Sequence, residues 1–410
     1  MSSFVHFIAA AAGGPTPPGA GDYTLIDTIS ATAKPFVDAG PIVISRDGST
    51  VFAVGDDGSA LGLWVWRWDG SSAWPNLQVI ALGTPGDFTA ATEKTSMALA
   101  CSEDGSRVVL GMPDAVSADG RVYVFDETSA DTWTQYQRIA PPSSGHAGRY
   151  GSDVDITNDG LRIVVGEPSY SPTGYGQGHV YLDSGASFAL EATLADNSGR
   201  FSGAFGAGVC LSGDGAVAVL GSPLGLSVGF RGLGWIQSHT RSGTTWSFEA
   251  IAYPSDDVYN ILADSFSRGG QSMCMDESGE NILTADAGGV GDDSVHYARS
   301  GGGLVLQALV NGFGGTGVSS APAMAMAGDA SFAVLGDYGY DGAKGRVRRW
   351  SGPSSWALSS NIDAASPTAN QQHGRGVSTS RDGLIVVWSE SPTGSNSGAS
   401  LGDRAYLKVY

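Results

Sequence analysis

Lysine is almost missing from this chain. It occurs four times in 410 residues, and Lys and Arg together number 22 against 41 Asp and Glu, for a net charge of −19. A chain of that balance repels phosphate backbones and offers no polybasic patch, so no nucleic-acid partner is expected. Cysteine is scarce too. Cys101, Cys210 and Cys274 have no CxxC spacing and are odd in number, which excludes a disulfide framework. Each sits in an apolar run and reads as a small buried hydrophobe. No apolar run is long enough to span a bilayer; the N-terminal stretch Phe4–Ala12 falls far short. No HExxH occurs, and the six histidines are scattered, so no metal and no cofactor is expected. Glycine is the opposite case. There are 61, without a Gly-X-Y period, so collagen is excluded as well.

What the chain has is a repeat. ISRDGSTVFAVG starts at Ile44, CSEDGSRVVLG at Cys101, ITNDGLRIVVG at Ile156 and LSGDGAVAVLG at Leu211. MDESGENILTA at Met275, MAGDASFAVLG at Met326 and TSRDGLIVVWS at Thr379 complete seven copies. The turn glycine falls at 48, 105, 160, 215, 279 and 383, with Ala330 in the sixth copy, so the period is 51–64 residues. Stacked four-strand units of about this length are propeller blades. In each unit, strand A precedes an Asp-Gly turn that supplies the positive φ of a tight hairpin, and strand B follows it. A Gly/Pro/Ser loop leads to strands C and D, as in His179–Asp183 and Phe188–Leu194. Strand D follows strand C in only six units, because the chain ends on Ala405–Tyr410. The segment Tyr23–Ile29 has the strand D pattern. The expectation is therefore an all-β, seven-bladed β-propeller of four-stranded blades over 23–410, closed by 23–29 pairing with 405–410. Residues 1–22 read as an apolar arm and a Pro/Gly linker, retained because no basic segment marks an export signal.

The units resemble FG-GAP repeats, the blades of the integrin α-subunit head. Tyr150-Gly151-Ser152-Asp153-Val154 and Phe205-Gly206-Ala207-Gly208-Val209 are similar to the Phe-Gly part. Val165-Gly166-Glu167-Pro168, Leu220-Gly221-Ser222-Pro223 and Leu110-Gly111-Met112-Pro113 are similar to the Gly-Ala-Pro part. Members of that family often carry a calcium loop between strands A and B. Here it has shrunk to Asn158-Asp159-Gly160 and its equivalents, too few oxygens for the six to eight that calcium takes, so no calcium is expected there.

Strand tracing puts the D-to-A linkers and the long B-to-C loops on one face. That face gathers Arg149, Arg200, Arg268, Arg375 and His373, with Lys94 and His146, beside Tyr170, Tyr175, Phe230, Tyr338 and Tyr340. Arg with Tyr suits a glycan, a carboxylate or a protein anchor. Asp153 and Asp155 are the carboxylates placed to serve a propeller enzyme; the plainer reading has them bonding local backbone. Trp74, Trp133, Trp246 and Trp356 read as packing between blades. The arm residues Phe4, Val5, Phe7 and Ile8 have no place in a closed set of blades and read as an anchor to another subunit.

Together these features lead to the expectation of a non-catalytic structural or binding propeller located in a virion or outside the cell. The apolar, Ala/Gly-rich start is similar to that of some phage tail proteins. The implied partners are other virion subunits through the arm and a host-surface glycan or protein through the loop-rich face. Two alternatives stand beside it: a secreted adhesin of the integrin-head type, and a propeller glycosidase or lyase.

Overall fold

The computed structural model describes residues 3–7, 27–31, 41–56, 61–70, 74–82, 97–170, 175–199, 204–223, 234–253, 272–285, 294–310, 323–337, 345–354, 356–362, 374, 376–383, 385–390 and 404–409. β1 (Ser3–Phe7) and β2 (Asp27–Ala31) make a two-stranded antiparallel sheet. Consecutive antiparallel meanders follow. The first blade is β3 (Ile42–Ile44), β4 (Thr50–Asp56), β5 (Leu61–Arg67) and β6 (Asn76–Ala81). The second is β7 (Ala98–Cys101), β8 (Arg107–Met112), β9 (Arg121–Ser129) and β10 (Thr132–Ile139). The third is β11 (Val154–Ile156), β12 (Arg162–Glu167), β13 (Gln177–Asp183) and β14 (Phe188–Ala195). The fourth is β15 (Gly208–Leu211), β16 (Val217–Ser222), β17 (Trp235–Ser242) and β18 (Thr245–Ala252). The fifth is β19 (Ser272–Met275), β20 (Asn281–Ala285), β21 (Ser294–Ser300) and β22 (Gly303–Val310). The sixth is β23 (Ala323–Met326), β24 (Phe332–Asp337), β25 (Arg346–Ser351) and β26 (Ala357–Ile362). β27 (Val377–Thr379), β28 (Ile385–Glu390) and β29 (Arg404–Val409) form a sheet of three strands.

The fold is an all-β propeller with six four-stranded blades, not the expected seven. Among the described residues the seventh repeat has three strands, and the described part of the segment read as its fourth, 27–29, pairs elsewhere. Its residues 27–29 lie in β2, and β2 hydrogen-bonds to β1, with Val5 opposite Ile29; residues 23–26 lie outside the described residues. The hairpin lies alongside β29 without joining its sheet. Phe4, Val5 and Phe7, expected to be free for a partner, thus belong to a paired strand; Ile8 lies outside the described residues.

Contacts divide the chain into two compact units, one of Met1–Gly83, Glu127–Thr134 and Pro322–Tyr410, the other of Thr84–Asp126 and Gln135–Ala321. In the second unit the first strands β7, β11, β15 and β19 stand side by side. In the first unit β23, β27 and β3 do the same.

The recurring Ser/Thr-x-Asp-Gly sequence has a local cause and a non-local use. In the third blade Thr157 Oγ1 donates to Asp159 Oδ1 at 2.6 Å and accepts the Arg162 N–H at 3.0 Å, while Asp159 Oδ1 also accepts the Leu161 N–H at 2.9 Å. The side chains thereby satisfy the turn's own donors, as Asx and ST turns do. The same turns hook one blade to the next. The Glu103 N–H donates to the Asn158 carbonyl, Asn158 to Gly213, and Gly213 to Glu277, at 2.9–3.0 Å. In the other unit Gly328 donates to Arg381, and Arg381 to Arg46.

Outer strands carry a second inter-blade device. The ladder between β13 and β14 shifts register at Val180/Tyr181, leaving Glu191 as the extra residue of a bulge. Its carboxylate takes the Arg162 Nε at 3.2 Å and the Trp246 Nε1 of the fourth blade at 2.9 Å. Glu249, at the bulge of β18, meets Arg299 of the fifth blade at 2.7 Å. Between the second and third blades lies a core of Val109, Val124, Tyr150, Val154, Ile163 and Val165, each worth about 1.5–3 kcal/mol of burial for its side chain.

Candidate functional site

The linker from β10 into β11 and the first residues of that strand carry the densest polar chemistry. Val154 and Ile156 alternate into the core between the second and third blades. Asp153 and Asp155 point the other way, half-buried, toward β15. The cause is an edge. β15 pairs through its ladder with β16 only, so its outward N–H groups need acceptors. Asp153 Oδ2 takes the Val209 N–H at 2.8 Å and Asp155 Oδ2 takes the Leu211 N–H at 2.7 Å. The other oxygens accept the Val154 and Ile156 N–H groups at 3.0 and 2.9 Å. The local-backbone reading is thus realised, and a cross-blade bond is added to it.

Other first strands do not use carboxylates. Seven residues before the turn glycine, where the third blade has Asp153, stand Pro41, Ala98, Gly208, Ser272, Ala323 and Gly376. At the place of Asp155 stand Val43, Ala100, Cys210, Cys274, Ala325 and Ser378. The two acids do not have equal surroundings. Burial, reinforced by the negative charge of Asp155 and opposed by the two backbone N–H bonds, pushes the Asp153 carboxyl up to about 7. A carboxyl whose hold on its proton is raised toward neutrality is the kind of group that serves as a general base.

Upstream on the linker, Asp119 gathers the N–H groups of Gly145, His146 and Ala147 at 2.8, 3.1 and 3.3 Å. Burial works against its charge, but these amides and Arg121 outweigh it and hold Asp119 below the usual carboxylate range. Arg149 Nη1 pairs with Asp114 Oδ1 at 2.6 Å. Arg149 also has φ +57°, and the matching place in the next linker is Ala204 at +70°. Both residues bear the cost of the left-handed backbone, so the guanidinium is not what the turn needs. His146 meets the Tyr170 ring edge-on at 5.8 Å. Behind them Glu167 and His179, each 1% exposed, bond at 2.8 Å, and Gln177 donates to Glu167 at 2.8 Å.

Of the residues read from sequence, the structure brings His146 and Tyr170 together, while Arg149 pairs with Asp114. Tyr175 contributes its carbonyl, which accepts the Phe205 N–H at 3.2 Å. Arg200, Arg268, Arg375, His373, Phe230, Tyr338, Tyr340 and Lys94 lie outside the described residues. Sequence reasoning missed Asp114 and Asp119. Their only signal was Asp119-Gly120 just ahead of β9, where a carboxylate can collect the amides of an approaching linker.

No protein-family model matches the chain, and no curated protein does. Solved structures do resemble it. The periplasmic gluconolactonase of Pseudomonas aeruginosa superposes with a TM-score of 0.56 at 14% identity, covering 90% of this chain and 98% of that one. A protein from Lactobacillus plantarum superposes with a TM-score of 0.55 at 15% identity, again covering 90% and 98%. The FG-GAP and phage-tail resemblances are not shown by any of these. The expectation of a non-catalytic virion protein is corrected here, since the propeller is shared with a gluconolactonase, an enzyme. No helix among the described residues is long and apolar enough to cross a membrane.

Proposed function

We propose that the protein is a hydrolase that opens the lactone of a sugar acid. One observation carries this reading: Asp153, on the linker just ahead of β11, has a carboxyl that burial pushes up to about 7. Lactone hydrolysis asks little more of a protein. The carboxylate takes a proton from water as its oxygen bonds to the acyl carbon. The ring C–O bond then breaks, and the departing alkoxide is reprotonated to give the hydroxy acid. Arg149, four residues upstream and paired with Asp114, is a candidate cation for an anionic group of the substrate. The gluconolactonase of like fold supports the substrate class and a working place outside the cytoplasm.

The test is proton release from glucono-δ-lactone above the spontaneous rate at pH 8. Wild type is expected to accelerate it, and Asp153→Asn to lose about 100-fold or more of that acceleration. A wild-type rate equal to buffer, or full activity in the variant, removes Asp153 from the chemistry.

A further inference from the structure

His179 on β13 and Thr193 on β14 are cross-strand partners, so their side chains share one face of the third blade. The imidazole is buried, whereas Thr193 is exposed. His179 Nε2 lies 2.8 Å from Glu167 Oε2, and Nδ1 lies 3.3 Å from Thr193 Oγ1. These contacts place the protons. A carboxylate only accepts, so the neutral ring carries its hydrogen on Nε2, and the bare Nδ1 accepts the Thr193 O–H. The rings of Tyr150 and Tyr181 pack against the imidazole at 5.7 and 6.5 Å. A hydroxyl on a base that an acid orients is the arrangement that activates a nucleophile. The fold does not ask for it. By register, Leu63, Tyr123, Gln237, His296 and Arg348 hold the place of His179 in other blades. His296, the other histidine, stands opposite Ala308, with Ala285 where the third blade has Glu167.

We propose that Thr193 is a nucleophile that takes an acyl group from a small activated ester, a reactive centre separate from Asp153. Thr193 Oγ1 bonds to the acyl carbon as its proton passes to His179 Nδ1. The C–O bond to the leaving alcohol breaks, that oxygen takes the proton back from the imidazolium, and the acyl group stays on Thr193 as an ester. Glu167 is a positioning residue. It keeps the ring in the tautomer with Nδ1 bare, and its charge offsets that of the imidazolium. The hydroxyl sits on the outer strand of its blade and is open to a small ester arriving from solvent.

The experiment treats the full chain with p-nitrophenyl acetate at pH 8, quenches it in acid at successive times and maps acetylated peptides by mass spectrometry. Wild type is expected to carry an acetyl group on Thr193, because an ordinary threonine hydroxyl is too weak a nucleophile to react. Thr193→Ser is expected to keep the label. His179→Gln installs the residue that the fourth blade already has there, Gln237, and removes the base. Labelling at Thr193 is expected to slow by about 100-fold or more in that variant, and by a similar factor in Glu167→Gln, whose amide lets the ring hold its hydrogen on Nδ1. Thr193 unlabelled in wild type at every time, or labelled equally fast in a folded His179→Gln, overturns the proposal. If His179→Gln folds poorly by circular dichroism, Glu167→Gln is judged by the same criterion. Lactone hydrolysis is not among the readouts, so the failure of Asp153 as a base would leave this result standing.

Discussion

Gly166→Ala is expected to destabilise the protein by more than about 4 kcal/mol, or to prevent folding. A Cβ at this position would stand 2.0 Å from the Gly206 carbonyl oxygen. Backbone would meet backbone, so no side chain can swing away to relieve the clash. The partner is fixed on its own account. Gly206 has φ +86°, and its N–H donates to the Gly221 carbonyl at 2.8 Å. Gly111 against Gly151 repeats the arrangement one blade earlier, with 2.3 Å left for a Cβ. This is why the strand B glycine and the linker glycine recur together here: in these two blades the second strand is the floor on which the next linker lies. Gly303→Ala is the control. Its Cβ would meet only the Ser300 carbonyl at 3.7 Å, and it is expected to change stability by no more than about 0.5 kcal/mol. Urea unfolding of the two variants decides the matter. A Gly166→Ala protein of near wild-type stability would mean the seam can open.

Arg107→Ala is expected to cost about 3–5 kcal/mol. The guanidinium grips Asp126 with two bonds of 2.6 Å and Asp183 with one of 2.8 Å, and donates to the Gly160 carbonyl at 2.9 Å. It lies over the rings of Tyr136 and Phe188 at 4.8 and 5.1 Å. Asp183 is 3% exposed in its side chain, so removing the cation strands a buried carboxylate that only Tyr136 Oη and the Gly185 N–H still contact. Although burial alone would raise it, those bonds and Arg107 hold Asp183 below the usual carboxylate range. The stability it lends is therefore present above the unfolded-state carboxylate pKa and is lost as pH falls through the lower folded value. Removing the charge as well, in Arg107→Met with Asp183→Asn, is expected to recover much of the loss. A single variant as stable as wild type in urea would reduce the clamp to a surface pair.

The blades were legible because their rules are local. The Asp-Gly turn, the β-branched run after it and the alternating outer strand are each settled within a dozen residues, and the β-hairpins stand where those rules put them. The seventh blade was misjudged because closure is not local. Residues 27–29 fit the outer-strand pattern, yet pairing with β1 was available to the same backbone. The Glu191 and Glu249 contacts were invisible for a like reason: a bulge turns the residue, and period-two counting cannot see it. In the candidate site, Asp153 and Asp155 stood out as acids in an apolar strand. The partners they find, the N–H groups of β15, lie 56 residues away in sequence. The misreading of function had a different origin. Few lysines and abundant glycine describe a surface, and a fold serves many chemistries; neither names a reaction.

The central claim is that Asp153 is a working base, and the pH dependence of wild-type lactone hydrolysis tests it most directly. Asp153 acts only after losing its proton. The enzymatic rate, with the spontaneous reaction subtracted, should therefore climb about tenfold per pH unit well below the midpoint and level off above about 7. A rate unaffected by pH between 5 and 9, or one that falls as pH rises through neutrality, would contradict it.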